Sequence, residues 1–146
     1  MNQRTTSVTV LCRSIEAHIQ RLCAKGDMDA DRGRYADALA SYWTAWDLLP
    51  EPQVDYQAAT WILAAVGDAN FLGGNFTAGC DNLSTAMNCP GGIDIAYLHL
   101  RLGQCQFELG LLVQARKELG RAWHGEGAAL FDEEDPKYLR FLMKAN

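Results

Sequence analysis

The 146-residue sequence has no run of about 18 apolar residues, so no membrane-crossing helix is expected. It also lacks an excess of basic side chains. Thirteen lysines and arginines stand against 18 aspartates and glutamates, a net charge of −5. Phosphate binding needs clustered Lys and Arg, so nucleic acid is not an expected partner; a basic or mixed protein surface suits this balance better. Hydrophobic residues make up 49% of the chain, which argues against disorder and for one domain, residues 1–146, with a core of its own.

Paired cysteine motifs are missing as well. Cys12, Cys23, Cys80, Cys89 and Cys105 are odd in number and none stands in C-x-x-C spacing. A secreted disulfide framework usually has an even count, and zinc sites usually show close pairs. Free, mostly buried thiols in a reducing cytosol are expected. The start, MNQRTTSVTVLCRSIEAHI, has an early arginine but no long apolar core ahead of a cleavage site, and is read as mature protein rather than a signal peptide.

Catalytic patterns are absent too. His18, His99 and His124 lie far apart, and none has a metal-binding spacing such as H-E-x-x-H. The acidic run Asp132, Glu133, Glu134, Asp135 lacks the alternation of a calcium loop and reads as a solvated helix end. No serine or cysteine sits in a nucleophile elbow. The expectation is a chain that is not an enzyme, with no catalytic residue, cofactor or metal.

What the sequence does have is internal self-similarity. Aligned on Gly33, Gly74 and Gly110, three stretches share six columns. Seven residues earlier stand Gly26, Gly67 and Gly103. Two later stand Tyr35, Phe76 and Leu112; five later, Ala38, Gly79 and Ala115. Nine later stand Tyr42, Leu83 and Leu119; twelve later, Ala45, Ala86 and Ala122. Large and small residues at these offsets share one helix face, where small ones allow close approach and large ones fill the gaps. The recurring glycine marks a helix end that needs positive φ. Gly73-Gly74-Asn75 is therefore a hinge between helices. A phosphate cradle would need a strand ahead of it, and TWILAAVGDANF has helical character.

Seven helices are predicted, over roughly residues 8–31, 35–49, 54–72, 76–88, 93–109, 112–130 and 136–144. Leu11, Ile15, Ile19 and Leu22 give the first a long apolar stripe, suited to an amino-terminal extension. The last has Asp135 to cap it, Pro136 at its first position and an apolar face of Tyr138, Leu139, Phe141 and Leu142, as a terminal cap requires.

The stretches GDMDADRGRYADALASYWTAWDLLP, GDANFLGGNFTAGCDNLSTAMNCP and GQCQFELGLLVQARKELGRAW resemble the tetratricopeptide repeat family. The resemblance implies an all-α, short right-handed solenoid of three helix-turn-helix repeats, near residues 19–52, 60–91 and 96–128, with an amino-terminal helix extension and a capping segment at 132–146. Departures are visible. Asp29, Asn70 and Gln106 stand where the family has an aromatic, Gly79 replaces an alanine, and the interval from Gly33 to Gly74 exceeds the usual period of about 34 residues, the excess lying around LLPEPQVDYQ.

The family binds proteins or peptides in the concave groove lined by the first helix of each pair. Carried across by position, the candidate groove residues are Asp27 and Asp31 in the first copy, Trp61, Asp68, Phe71 and Leu72 in the second, and Tyr97, Leu100, Arg101, Gln104, Phe107 and Glu108 in the third. Aromatics of this kind anchor interfaces. The groove acids argue against capture of a peptide carboxylate.

ATWILAAVGDANF, CPGGIDIAYLHLRLGQCQFELG and GEGAALFDEEDPKYLRFL are also similar to a group of small bacterial tetratricopeptide proteins encoded beside polymorphic secreted toxins, many of them immunity proteins. That likeness implies a cytoplasmic chain that neutralises a toxin or effector domain, with a basic surface, by stoichiometric binding. The alternatives are a secretion or assembly chaperone holding a partner segment in the groove and a self-associating scaffold. No membrane partner is expected, and the oligomeric state stays open.

Overall fold

A computed structural model describes residues 9–144. Seven α-helices follow one another among these residues: α1 Arg13–Asp31, α2 Tyr35–Asp47, α3 Gln57–Leu72, α4 Phe76–Met87, α5 Ala96–Glu108, α6 Leu112–Glu126 and α7 Pro136–Met143. They pair in sequence, α1 on α2, α3 on α4 and α5 on α6, and each pair stacks on the next through α2–α3 and α4–α5. This is the short α-solenoid of three tetratricopeptide-type repeats.

The hinges form as the repeated glycines dictate. Gly33, Gly74 and Gly110 have φ of 74°, 83° and 78°, a region that side chains resist, and each occupies the turn between the helices of its pair. The amide that follows closes each turn: the backbone N–H groups of Arg34, Asn75 and Leu111 donate to the carbonyls of Asp29, Asn70 and Gln106.

The earlier glycine of each repeat serves contact instead. A methyl group built at Gly26 would come within 2.5 Å of the Tyr42 ring, and one at Gly103 within 2.8 Å of Leu119 Cγ. The small and large columns are therefore the two sides of one inter-helix contact. Ala38, Ala45, Leu83, Ala86, Ala115, Leu119 and Ala122 are all fully buried along it. In the columns that depart from the resemblance, Asn70 is buried and Asp29 accepts from Lys25 Nζ at 3.4 Å.

Four helix ends differ from the sequence expectation, each for a local reason. The first helix begins at Arg13 rather than residue 8, which lies outside the described residues; Thr9 forms a single parallel bridge with Tyr56, and Cys12 is still extended. The third and fifth start late because short 3-10 turns, Gln53–Asp55 and Gly92–Asp94, precede them. The sixth stops at Glu126 rather than 130. Gly127 there takes φ 72° and ψ −160°, a backbone open essentially to glycine, and a 3-10 turn, Ala128–Phe131, follows.

All five thiols are free, but only Cys89 and Cys105 are fully buried. No described helix is long and apolar enough to cross a membrane.

Candidate functional site

The candidate groove residues lie on α1, α3 and α5, the first helices of the three pairs. The structure divides them into two sets with different surroundings.

The first set, nearer the amino terminus, is open. Asp27, Asp31 and Leu72 are exposed, and Trp61 keeps 48% of its surface accessible. Asp27 Oδ1 accepts from the Tyr42 hydroxyl at 2.6 Å, which fixes its carboxylate beside the helix junction. Burial and the Asp27 charge push the neighbouring Cys23 thiol up to about 11. Trp61 borders a cavity of about 180 Å³ together with Thr9, Val10 and Tyr56. Of the candidate aromatics Trp61, Phe71, Tyr97 and Phe107, Trp61 is the one that lines this cavity.

The second set is covered by the chain itself. Arg101, on α5, is 7% exposed and binds two carboxylates. Its Nε donates to Asp68 Oδ1 at 2.5 Å, and its Nη1 donates to Glu134 Oε2 at 2.9 Å. Nη1 also donates to Gln104 Oε1 at 2.9 Å, and Gln104 Nε2 donates to the same Glu134 oxygen at 3.0 Å. Tyr97 hydrogen-bonds both Asp68 and Arg101. Burial works against the Arg101 charge, but Asp68, Tyr97 and Glu134 outweigh it and hold the guanidinium more firmly protonated than usual. Burial and then the Asp68 charge raise the Tyr97 phenol.

Aromatic rings extend this cover. The Arg101 guanidinium sits 4.5 Å from the Phe71 ring centre and 5.1 Å from that of Tyr97. Tyr138, on α7, packs at 6.3 Å from Phe71 and 5.3 Å from Phe107, and Phe141 packs at 5.1 Å from Phe107. Glu108 accepts from the Tyr138 hydroxyl at 2.7 Å and pairs with Lys137 Nζ at 2.5 Å. Partial burial raises the Glu108 carboxyl, but these two partners outweigh it and hold it below its ordinary value. Leu100 is fully buried with Leu119, Phe131 and Tyr138.

The sequence names Phe71, Arg101, Gln104 and Phe107 as groove candidates but does not foresee that residues 134–141 cover them. Glu134, Lys137, Tyr138 and Phe141 belong to the site. The alternation of charge and aromatics in EDPKYLRF was their only signal, because a short helix's apolar face does not name the surface that it covers.

Among the described residues no cluster of His, Cys, Asp or Glu could hold a metal ion. His99 is bound on both ring nitrogens, to Glu118 Oε2 at 2.6 Å and to the Ile93 carbonyl at 2.7 Å.

No family model and no curated protein matches the chain. Among solved structures, the first TPR domain of the human RPAP3 protein, determined by NMR, is similar with a TM-score of 0.69 and 20% identity, covering 86% of this chain and 92% of that one. Together with the helix pairing, this likeness establishes the tetratricopeptide-repeat fold.

Proposed function

We propose that this chain is a protein-binding module that acts by stoichiometric capture through its concave surface, and that its partner is a basic toxin or effector domain which it neutralises. The observation that supports this reading is the exposure of the candidate groove residues Asp27 and Asp31 on α1 and of half-exposed Trp61 on α3. Acids steer a basic surface into encounter, and a solvated indole supplies the anchor. The toxin role rests on the sequence likeness of three stretches. It is tested by expressing the toxin domain encoded beside this gene with and without the chain. Protection with a one-to-one complex is expected; toxicity unaffected by the chain would overturn it.

A chaperone role is favoured by a different observation. The groove beside Phe71 and Phe107 already holds an amphipathic segment, as a carrier of partner segments would. A folded partner domain should form a larger, slower-dissociating complex than an extended segment does.

A further inference from the structure

The second half of the groove shows what kind of segment it accepts, because it holds one. Tyr138 and Phe141 lie three apart on α7, Lys137 stands beside Tyr138, and Glu134 precedes the helix, just before its Asp135 cap. Each meets a dedicated element: Glu134 the paired donors of Arg101 and Gln104, Tyr138 the rings of Phe71 and Phe107, Phe141 the far side of Phe107, and Lys137 the Glu108 carboxylate. The donors demand an acid. Gln104 is fully buried and Arg101 nearly so; without Glu134 both would lose a shared acceptor in a desolvated place.

The occupant is short. α7 has eight residues, whereas an isolated helix needs about 12–15 to hold its shape. Tyr138 is its one fully buried side chain. Phe131, ahead of it, packs 6.2 Å from Trp123 and belongs to the core cluster of Leu119 and Ala122, so part of the end of repeat three stays covered when α7 moves. Asp132 and Glu133, between anchor and helix, are exposed.

We propose that residues 134–141 are a displaceable occupant of the groove over repeats two and three. The partner segment that replaces them has the same chemistry: a carboxylate, an aromatic four residues on and a second aromatic three further. This deepens the protein-capture reading and rests on it. The acidic half steers a basic surface, and the aromatic half receives a segment only when α7 yields. A tether this short gives α7 an effective concentration on the order of millimolar, so an intact chain should bind such a segment at least about 100-fold more weakly than a chain whose α7 is no longer tethered.

The test keeps the full chain. A specific protease site is inserted between Asp132 and Glu133, the folded protein is cut, and fluorescent peptide comprising residues 133–144 is titrated in. The cut protein is expected to exchange its fragment for the peptide, remain folded by circular dichroism, and bind at least 100-fold more tightly than uncut protein. Peptide carrying Glu134→Gln should bind at least tenfold more weakly, and peptide carrying Tyr138→Ala with Phe141→Ala should not exchange. A solenoid that unfolds as the fragment leaves, a cut protein that takes up no peptide, or indifference to Glu134→Gln would each overturn the proposal. A toxin complex that forms while α7 stays seated would sink this inference alone; a chain that binds no protein partner yet exchanges the peptide would sink only the proposed function.

Discussion

Gly67 on α3 lies against Leu83 on α4 so closely that a methyl group built on the glycine would stand 2.4 Å from Leu83 Cγ. The remaining leucine side chain is fully buried, so it has no space to withdraw into. Gly67→Ala is expected to destabilise the fold by roughly 1–3 kcal/mol, the usual cost of overpacking. Leu83→Ala should cost about 2–5 kcal/mol through the cavity that it leaves. Because the two substitutions relieve one another, urea denaturation of the double variant should show less loss than the two added together.

The hinge glycines fail for a different reason. Gly74 and Gly110 have open space where a side chain would go, so their constraint is φ alone. Val at either position should destabilise by roughly 1–3 kcal/mol, measured by thermal unfolding, without any new clash. Asn, which tolerates the left-handed region better, should cost less at both.

Arg101 is a second point of sensitivity. Arg101→Leu would leave Asp68 and Glu134 facing each other without a cation, and a loss of about 2–4 kcal/mol is expected. Combining it with Glu134→Gln should recover part of that loss in a denaturation cycle. Strict additivity would show that Arg101 and Glu134 are not coupled.

Acid should release α7 before it unfolds the solenoid. Glu108 is held below its ordinary value of 4.5 by Lys137 and Tyr138. A depressed carboxylate adds stability above its unfolded value, and that stability is lost as pH falls below about 4.5 toward the folded value. Hydrogen exchange at residues 136–143 should therefore accelerate below about pH 4.5 while α3 stays protected. Glu108→Gln should remove this step.

The open half of the groove predicts kinetics. For a basic partner, Asp31→Lys with Asp27→Asn should slow association and flatten its salt dependence, since exposed charges act over about 8–10 Å. Asp68 is unsuitable for this test because Arg101 already holds it. Trp61→Ala should weaken binding by about 2–4 kcal/mol, read by calorimetry. An association rate indifferent to salt would mean that the acids only solvate the surface.

The helix pairs were legible in the sequence because their rules are local. Gly33, Gly74 and Gly110 need positive φ, and the columns from Gly26 to Ala122 need one face; both follow from residue type and spacing. The ends of α3, α5 and α6 were less legible. Short 3-10 turns share the apolar residues of the helices beside them, and Gly127 gives no advance sign that its φ and ψ leave the helix. The candidate groove residues come from the family resemblance, and spacing says nothing about what covers Arg101 or Phe107. That depends on where Gly127 and the 3-10 turn aim the next eight residues, a question of tertiary geometry.

The position of α7 also bears on growth by addition. An end-to-end filament would require another copy to stack its first helix on the α5–α6 face, a heterologous contact that repeats without closing. Phe131, Tyr138 and Phe141 already lie on that face. The segment that occupies the groove is thus also a polymerisation stop at this end of the solenoid, and any process that draws α7 away for a partner uncovers, for as long as it lasts, a surface on which further copies could add.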